Sequence, residues 1–404
     1  MRLQTIRRLS GLLLATAMMC AAPASAADLV IHDVTVIDGT GAAPQPGMDI
    51  AVRDGRIAAI VRGRIPGYER AEHVDGRGRF LIPGLIDVHV HLKGGGAWGE
   101  RADRALALRN LAGFLAHGVT TIFDAGNVPD FIYELRRDER MGAIHAPRIF
   151  ATGAIFSYPA AWGRRDPGTA PPSWEETKNL LDKALARGPD LQKFSFERFG
   201  TAAGEIQPAV PPELYKRMIG YVRERGVRTT IHITNEAIAR DAVEAGISTL
   251  AHPVTVAPAS AKFTALLAER KIPVATTLSL FDDVKGMGWP AWSAALMPVA
   301  QANVRTLVAA GGIVAMGTDH YEGAQAAREL ALIVAAGVSP AAALRIATLN
   351  GAVFLGQARE LGSLAPGKRA DMVLLNANPL EDIANVGAIV LVYKAGVAAS
   401  PATP

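Results

Sequence analysis

Cysteine is nearly absent from these 404 residues: Cys20 is the only one, and it lies in an amino-terminal leader. The mature chain therefore has no disulfide, and its stability must come from its core and any bound metal. Charge of one sign is also scarce. The formal net charge is +4, and without the leader arginines Arg2, Arg7 and Arg8 it falls to +1. No Lys/Arg block or long basic amphipathic stretch occurs in the mature part, which argues against nucleic acid and against a membrane-surface role. The apolar run at 12–22 is well short of the ~20 residues needed to span a bilayer. No short-period repeat is present, and low complexity is confined to 398–404.

What is present begins with that leader. Basic residues, the apolar run and Ala24-Ser25-Ala26 form a signal-peptide pattern, so cleavage after Ala26 and a periplasmic or secreted location are expected. Arg7-Arg8 keeps both the general secretory and the twin-arginine routes open. Half of the residues are hydrophobic and 20% are charged, enough for a large core. The 40 glycines and 25 prolines are dispersed, which fits many short turns and not a linker.

Segments 29–36, 49–53 and 56–61 alternate as short strands, with Asp54-Gly55 supplying a hairpin turn. Matching segments at 371–375 and 389–394 follow a turn at Gly367-Lys368, so the two chain ends are expected to fold together. Between them, apolar strands at 85–91, 120–125, 148–153, 191–196, 228–234, 249–254, 273–278 and 313–319 alternate with amphipathic helices. That pattern predicts parallel βαβ units, and the count of eight predicts an α/β fold of the (β/α)8 TIM-barrel type with its chemistry at the strand C-termini. One connecting helix is expected to start at a cap on Asn235 and stop at Gly246, and another to begin at Ser339-Pro340. The expected division is 1–26 signal peptide, 27–83 first part of a small β-sandwich, 84–354 barrel, 355–396 second part of the β-sandwich, and 397–404 flexible tail.

His89 and His91 are two apart on a strand, so their side chains share a face and can meet one metal. His232 and His252 end the fifth and sixth predicted strands, and Asp319 closes the eighth, where a carboxylate can bind metal and accept a proton. Each alone also has a packing explanation: a satisfied core histidine, or an N-cap for Asp319. Four of nine histidines at one rim are hard to assign to packing. Lys193 interrupts an apolar strand, where a buried ammonium is costly. Either it reaches out to solvent, or it is modified by carbon dioxide to an anionic carbamate able to bridge two metals.

Two motifs point to a known family: Leu81-Ile82-Pro83-Gly84-Leu85-Ile86-Asp87-Val88-His89-Val90-His91, and Gly362-Ser363-Leu364-Ala365-Pro366-Gly367-Lys368-Arg369-Ala370-Asp371-Met372-Val373. With Gly118-Val119-Thr120-Thr121 between them, the chain resembles the amidohydrolase superfamily, in particular its imidazolonepropionase-related and metallodependent prolidase-like branch. The resemblance covers nearly the whole mature chain. It implies two divalent ions, with zinc suiting these donors. His89 and His91 would hold the more buried ion, His232 and His252 the more exposed one, N6-carboxylated Lys193 would bridge them, and Asp319 would serve as general base beside a bridging hydroxide. Departures from the family pattern, Phe123-Asp124, Pro253-Val254 after His252, and His320 after Asp319, leave the substrate open.

Arg198 and His320 are candidates for substrate contact, although a solvated loop role competes for Arg198. Trp98 and Trp162 could cover a pocket or anchor loops, while His117 and His145 precede their strands and are assigned structural roles. The expected activity is hydrolysis of a carbon–nitrogen bond in a small-molecule substrate, a dipeptide or N-acyl amino acid. The alternatives are an ester, lactone or phosphoester hydrolase using the same centre, or an inactive metal-binding barrel. Neither nucleic acid nor membrane is an expected partner of the mature chain, and a homo-oligomer is compatible with the sequence.

Overall fold

Asp54 and Gly55 both adopt positive φ, 50° and 71°, which matches the right-handed twist of paired strands at a two-residue turn. They fold strand Gln45–Arg53 back on Arg56–Val61, with Arg53 opposite Arg56. The computed structural model describes residues 28–96, 101–158, 173–197, 199–200, 205–206, 210–282 and 291–399. The expected signal peptide, Trp98, Trp162 and Arg198 lie outside the described residues.

The chain ends meet in one mixed, hydrogen-bonded eight-stranded sheet. Its central contact is Met372–Leu375, antiparallel to Phe80–Pro83, with Val373 opposite Ile82. Alternating side chains Leu29, Ile31, Ile50, Val52, Met372, Leu374 and Tyr393 form its apolar core. The described part of the expected tail is ordered: Val397–Ala399 is a strand antiparallel to Ile389–Lys394. A turn through Ala395 and Gly396 at positive φ, 49° and 75°, brings it back, a turn that the alanine-rich composition of the tail conceals.

The remaining chain is a TIM-barrel-like α/β fold of parallel strands and covering helices. Leu85–Val90, Val119–Asp124 and Arg148–Ala151 pair in parallel. A second parallel sheet runs from Ile155–Phe156 through Leu191–Ser195, Arg228–His232, Thr249–Leu250 and Val274–Ala275 to Val314–Ala315. Backbone bonds from Val88 to the Met316 carbonyl (2.9 Å) and from Asp319 to the His89 carbonyl (2.7 Å) join the first strand to the last. Asp190 donates to the Ala151 carbonyl, 3.0 Å, across the third and fourth.

The last three strands are shorter than the sequence pattern predicts, two paired residues each. Leu278, expected to end a strand, instead begins helix Leu278–Asp282. Thr277 at φ 42° breaks the extended backbone, and the buried Glu329 carboxylate accepts the Leu278 and Ser279 amides at 2.8 and 2.6 Å. A carboxylate on the first amides of a helix is favourable both as hydrogen bonding and against the helix dipole. The predicted caps form: Asn235 accepts from Ala237 and Ile238, and Ser339 accepts from Ala342 with Pro340 in the first turn. Among the described residues no helix is long and apolar enough to cross a membrane.

Candidate metal centre

His89 is the last residue but one of the buried strand Leu85–Val90, with Val88 and Val90 on either side fully covered. Its Nδ1 lies 2.9 Å from the Ala251 carbonyl. A carbonyl can only accept, so Nδ1 carries the proton and Nε2 presents its lone pair inward. His91 repeats the arrangement, with Nδ1 3.0 Å from the Gly126 carbonyl. His252 is fixed by Thr277 Oγ1 at 3.0 Å. Such outer contacts orient imidazole ligands toward a metal.

The inward nitrogens converge on Asp319. Its Oδ1 lies 3.5 Å from His89 Nε2 and 3.4 Å from His91 Nε2, and its Oδ2 lies 3.9 Å from His252 Nε2. One donor atom each of His89, His252 and Asp319 lies within 4.8 Å of the other two. Lys193 Nζ sits 3.1 Å from His89 Nε2, and His232 Nδ1 is 2.7 Å from His252 Nε2. All six candidates from the sequence therefore share one largely buried locus, which His232 meets through its Nδ1. His252 and Asp319 stand beyond their strands, on the irregular segments that follow Thr249–Leu250 and Val314–Ala315. Asp319 has φ 58°, a left-handed conformation that aspartate tolerates better than most residues.

Burial holds all four histidines in the neutral, ligand-competent form, and the nearby Lys193 charge adds to it; His91 is pushed down to about 3. Burial also drives Lys193 toward its free amine, against the pull of Asp319 and Asp124. Asp319 is pushed up by burial, with Lys193 opposing. Neutral imidazoles, a carboxylate and a lysine inclined to lose its proton make a donor set that fits divalent metal ions.

Behind these donors stands a second layer of buried carboxylates, Asp87, Asp124 and Glu197, whose supporting role the sequence pattern does not reveal. Asp87 accepts from the His89 and Thr318 amides, each 3.1 Å, and from Thr318 Oγ1 at 2.7 Å, tying the first strand to the segment carrying Asp319. Asp124 accepts from the Leu92 and Gly126 amides and from Asn127 Nδ2, at 3.0, 3.1 and 2.9 Å. Glu197 takes the amide and hydroxyl of Thr234, two residues past His232. The available signal for Asp87 was an acidic residue inside an otherwise apolar strand, and for Asp124 and Glu197 their place at or just past a strand end.

His320 bridges Val90 through its backbone, and its carbonyl accepts the His91 amide at 3.2 Å, while the side chain is buried. His117 caps the helix Arg104–Ala116, with Nδ1 2.8 Å from the Gly113 carbonyl.

Residues 80–399 match the amidohydrolase family, about four-fifths of the chain and both motifs noted above. The chain belongs to the amidohydrolase family. Within it, this amidohydrolase falls in the imidazolonepropionase-related branch. It is 28% identical to the imidazolonepropionase of Geobacillus kaustophilus over 405 aligned positions, covering 88% of each chain. Its fold superposes on a Bifidobacterium longum protein assigned as a prolidase with a TM-score of 0.81 and 28% identity, covering 92% of this chain and 94% of the other. A Xaa-Pro dipeptidase with methionine in its active site shares the fold at a TM-score of 0.81 and 21% identity, over 92% of this chain and 99% of the other. The amidohydrolase is accordingly an enzyme that hydrolyses carbon–nitrogen bonds.

Proposed function

We propose that this amidohydrolase cleaves the amide bond of a dipeptide or N-acyl amino acid at a two-metal centre held by His89, His91, Lys193, His232, His252 and Asp319. The observation that carries the reading is the convergence of three imidazoles on one Asp319 carboxylate, with the His89 and His91 rings locked from behind by backbone carbonyls. In this reading residues 84–354 close as an eight-membered ring, supported by the backbone bonds between the first and last strands. The similarity to the assigned prolidase supports a peptide-like substrate.

Divalent ions bound here would polarise the scissile carbonyl and acidify the attacking water. Asp319 supplies the proton path: its carboxylate takes the water proton as the C–O bond forms and delivers it to the nitrogen as the C–N bond breaks. The amine of Lys193, favoured by burial, adds to carbon dioxide with loss of one proton to give the N6-carboxylate. That reaction turns a costly buried cation into an anionic ligand.

The deciding experiment measures metal per chain, with zinc and bicarbonate present, in the parent and in Lys193→Ala, alongside hydrolysis of dipeptides and N-acyl amino acids by the parent and Asp319→Asn. Two metals in the parent, fewer in Lys193→Ala, and amide hydrolysis lost by at least about a hundredfold in Asp319→Asn are expected. One metal in both proteins would remove Lys193 as a bridge. Undiminished turnover in Asp319→Asn would remove its role as base.

A further inference from the structure

Lys93 follows His91 by two residues and Tyr321 follows Asp319 by two. The two segments run side by side, because Val90 bridges His320 in parallel and His91 donates to the His320 carbonyl. This register sets the Lys93 ammonium 3.6 Å from the centroid of the Tyr321 ring. Leu92 between His91 and Lys93 is buried, and Lys93 and Tyr321 are both half-buried.

Among the described residues Lys93 has no carboxylate partner; its recorded contact is the tyrosine face. The buried carboxylates of the neighbouring strand ends are committed elsewhere. Asp124 is occupied by the Leu92 and Gly126 amides, and Asp319 faces the histidines. An ammonium with no carboxylate partner among the described residues, held on an aromatic face two residues past His91, can receive an anion. Stacking on the ring limits the freedom of a flexible lysine and leaves its N–H donors available.

We propose that Lys93, positioned by Tyr321, binds the free α-carboxylate of the substrate and so selects N-acyl amino acids or dipeptides over their neutral amides. This deepens the amide-hydrolase reading and rests on it for the nature of the scissile bond. Lys93 acts here as a binding residue and Tyr321 as its positioning residue.

The test is calorimetric titration of the metal-loaded protein with N-acetyl amino acids and with the matching carboxamides, for the parent, Lys93→Met, Lys93→Arg and Tyr321→Phe. The parent should bind the acids roughly ten- to a hundredfold more tightly than the carboxamides, the usual range for hydrogen bonds to a charged group. Lys93→Met should abolish the difference by weakening the acids alone. Lys93→Arg and Tyr321→Phe, which keep the charge and the ring face respectively, should retain most of it. In hydrolysis the Lys93→Met loss should fall on KM for acids and spare kcat. Equal or undetectable binding of acids and carboxamides by the parent, or a preference that survives in Lys93→Met, overturns the proposal. A preference that Lys93→Met removes, in a parent that cleaves no amide, overturns the amide reading and leaves the anion receptor standing.

Discussion

Asp124 offers the sharpest test of how the centre is held. Its fully buried carboxylate collects the Leu92 amide, the Gly126 amide and the Asn127 side chain, and the Gly126 carbonyl in turn fixes His91. Asp124→Ala leaves three buried donors without an acceptor, at about 1–3 kcal/mol each, or roughly 3–6 kcal/mol once partial relaxation is allowed. Metal retention should fall with it, because His91 loses its outer support.

Asp124→Asn separates charge from shape. Burial raises the Asp124 carboxyl to about 7, against the opposing hydrogen bonds, whereas an unfolded aspartate titrates near ~3.9. Between those values the folded protein binds the additional proton. The group's stabilising contribution is therefore complete below pH ~4 and lost as pH rises through 7. At ~1.4 kcal/mol per pH unit, the parent should lose about 2–3 kcal/mol between pH 5 and 7 relative to the asparagine variant, and little more above. Urea unfolding followed by circular dichroism at pH 5, 6, 7 and 8 reads this directly. An alanine variant as stable as the parent, or a parent-to-asparagine gap constant across pH, refutes the reasoning.

The remaining predictions concern the same neighbourhood and one control. A Cβ at Gly317 would stand 2.8 Å from His89 Cβ, so Gly317→Ala should lower zinc affinity by about tenfold or more while preserving secondary structure; chelator competition that finds parental affinity would show that His89 yields freely. Thr277→Val removes the oxygen beside His252 Nδ1 and should weaken metal binding about 10- to 100-fold at unchanged volume, with unaltered metal content at limiting zinc counting against it. Gly113 lies inside helix Arg104–Ala116 with open space around a would-be Cβ, so Gly113→Ala should stabilise by about 0.5–1 kcal/mol; a lower unfolding midpoint would refute that packing.

Features carried by adjacent residues were legible in the sequence. Asp54-Gly55 makes its turn, Asn235 and Ser339 cap their helices, and each of the eight expected strand segments contains a parallel strand. The grouping of His89, His91, Lys193, His232, His252 and Asp319 in space follows from the same strand pattern, because parallel strands bring their C-terminal ends to one side. The misses involve partners far apart in sequence. Glu329 shortens the seventh strand by capping a helix 51 residues upstream, and Asp87 meets Thr318 across 231 residues. No local pattern encodes such a bond. The strand at Val397–Ala399 was missed for another reason: its residues are small and lack alternation, and the turn before it defines the pairing.

The same long-range wiring explains why the centre should respond as a unit. His89 is oriented by the carbonyl beside His252, His91 by the carbonyl that follows Asp124, and His252 by a threonine after the seventh strand. The Asp319 amide is anchored on the His89 carbonyl itself. Each of these four donors is thus held by a different element from the one that carries it, and displacing one strand end moves the support of another ligand. Groups linked in one hydrogen-bond network do not contribute additively. Once Asp87 or Asp124 has been removed, a second change at Thr277 or Gly317 has less order left to destroy, so its effect must be smaller than in the intact protein.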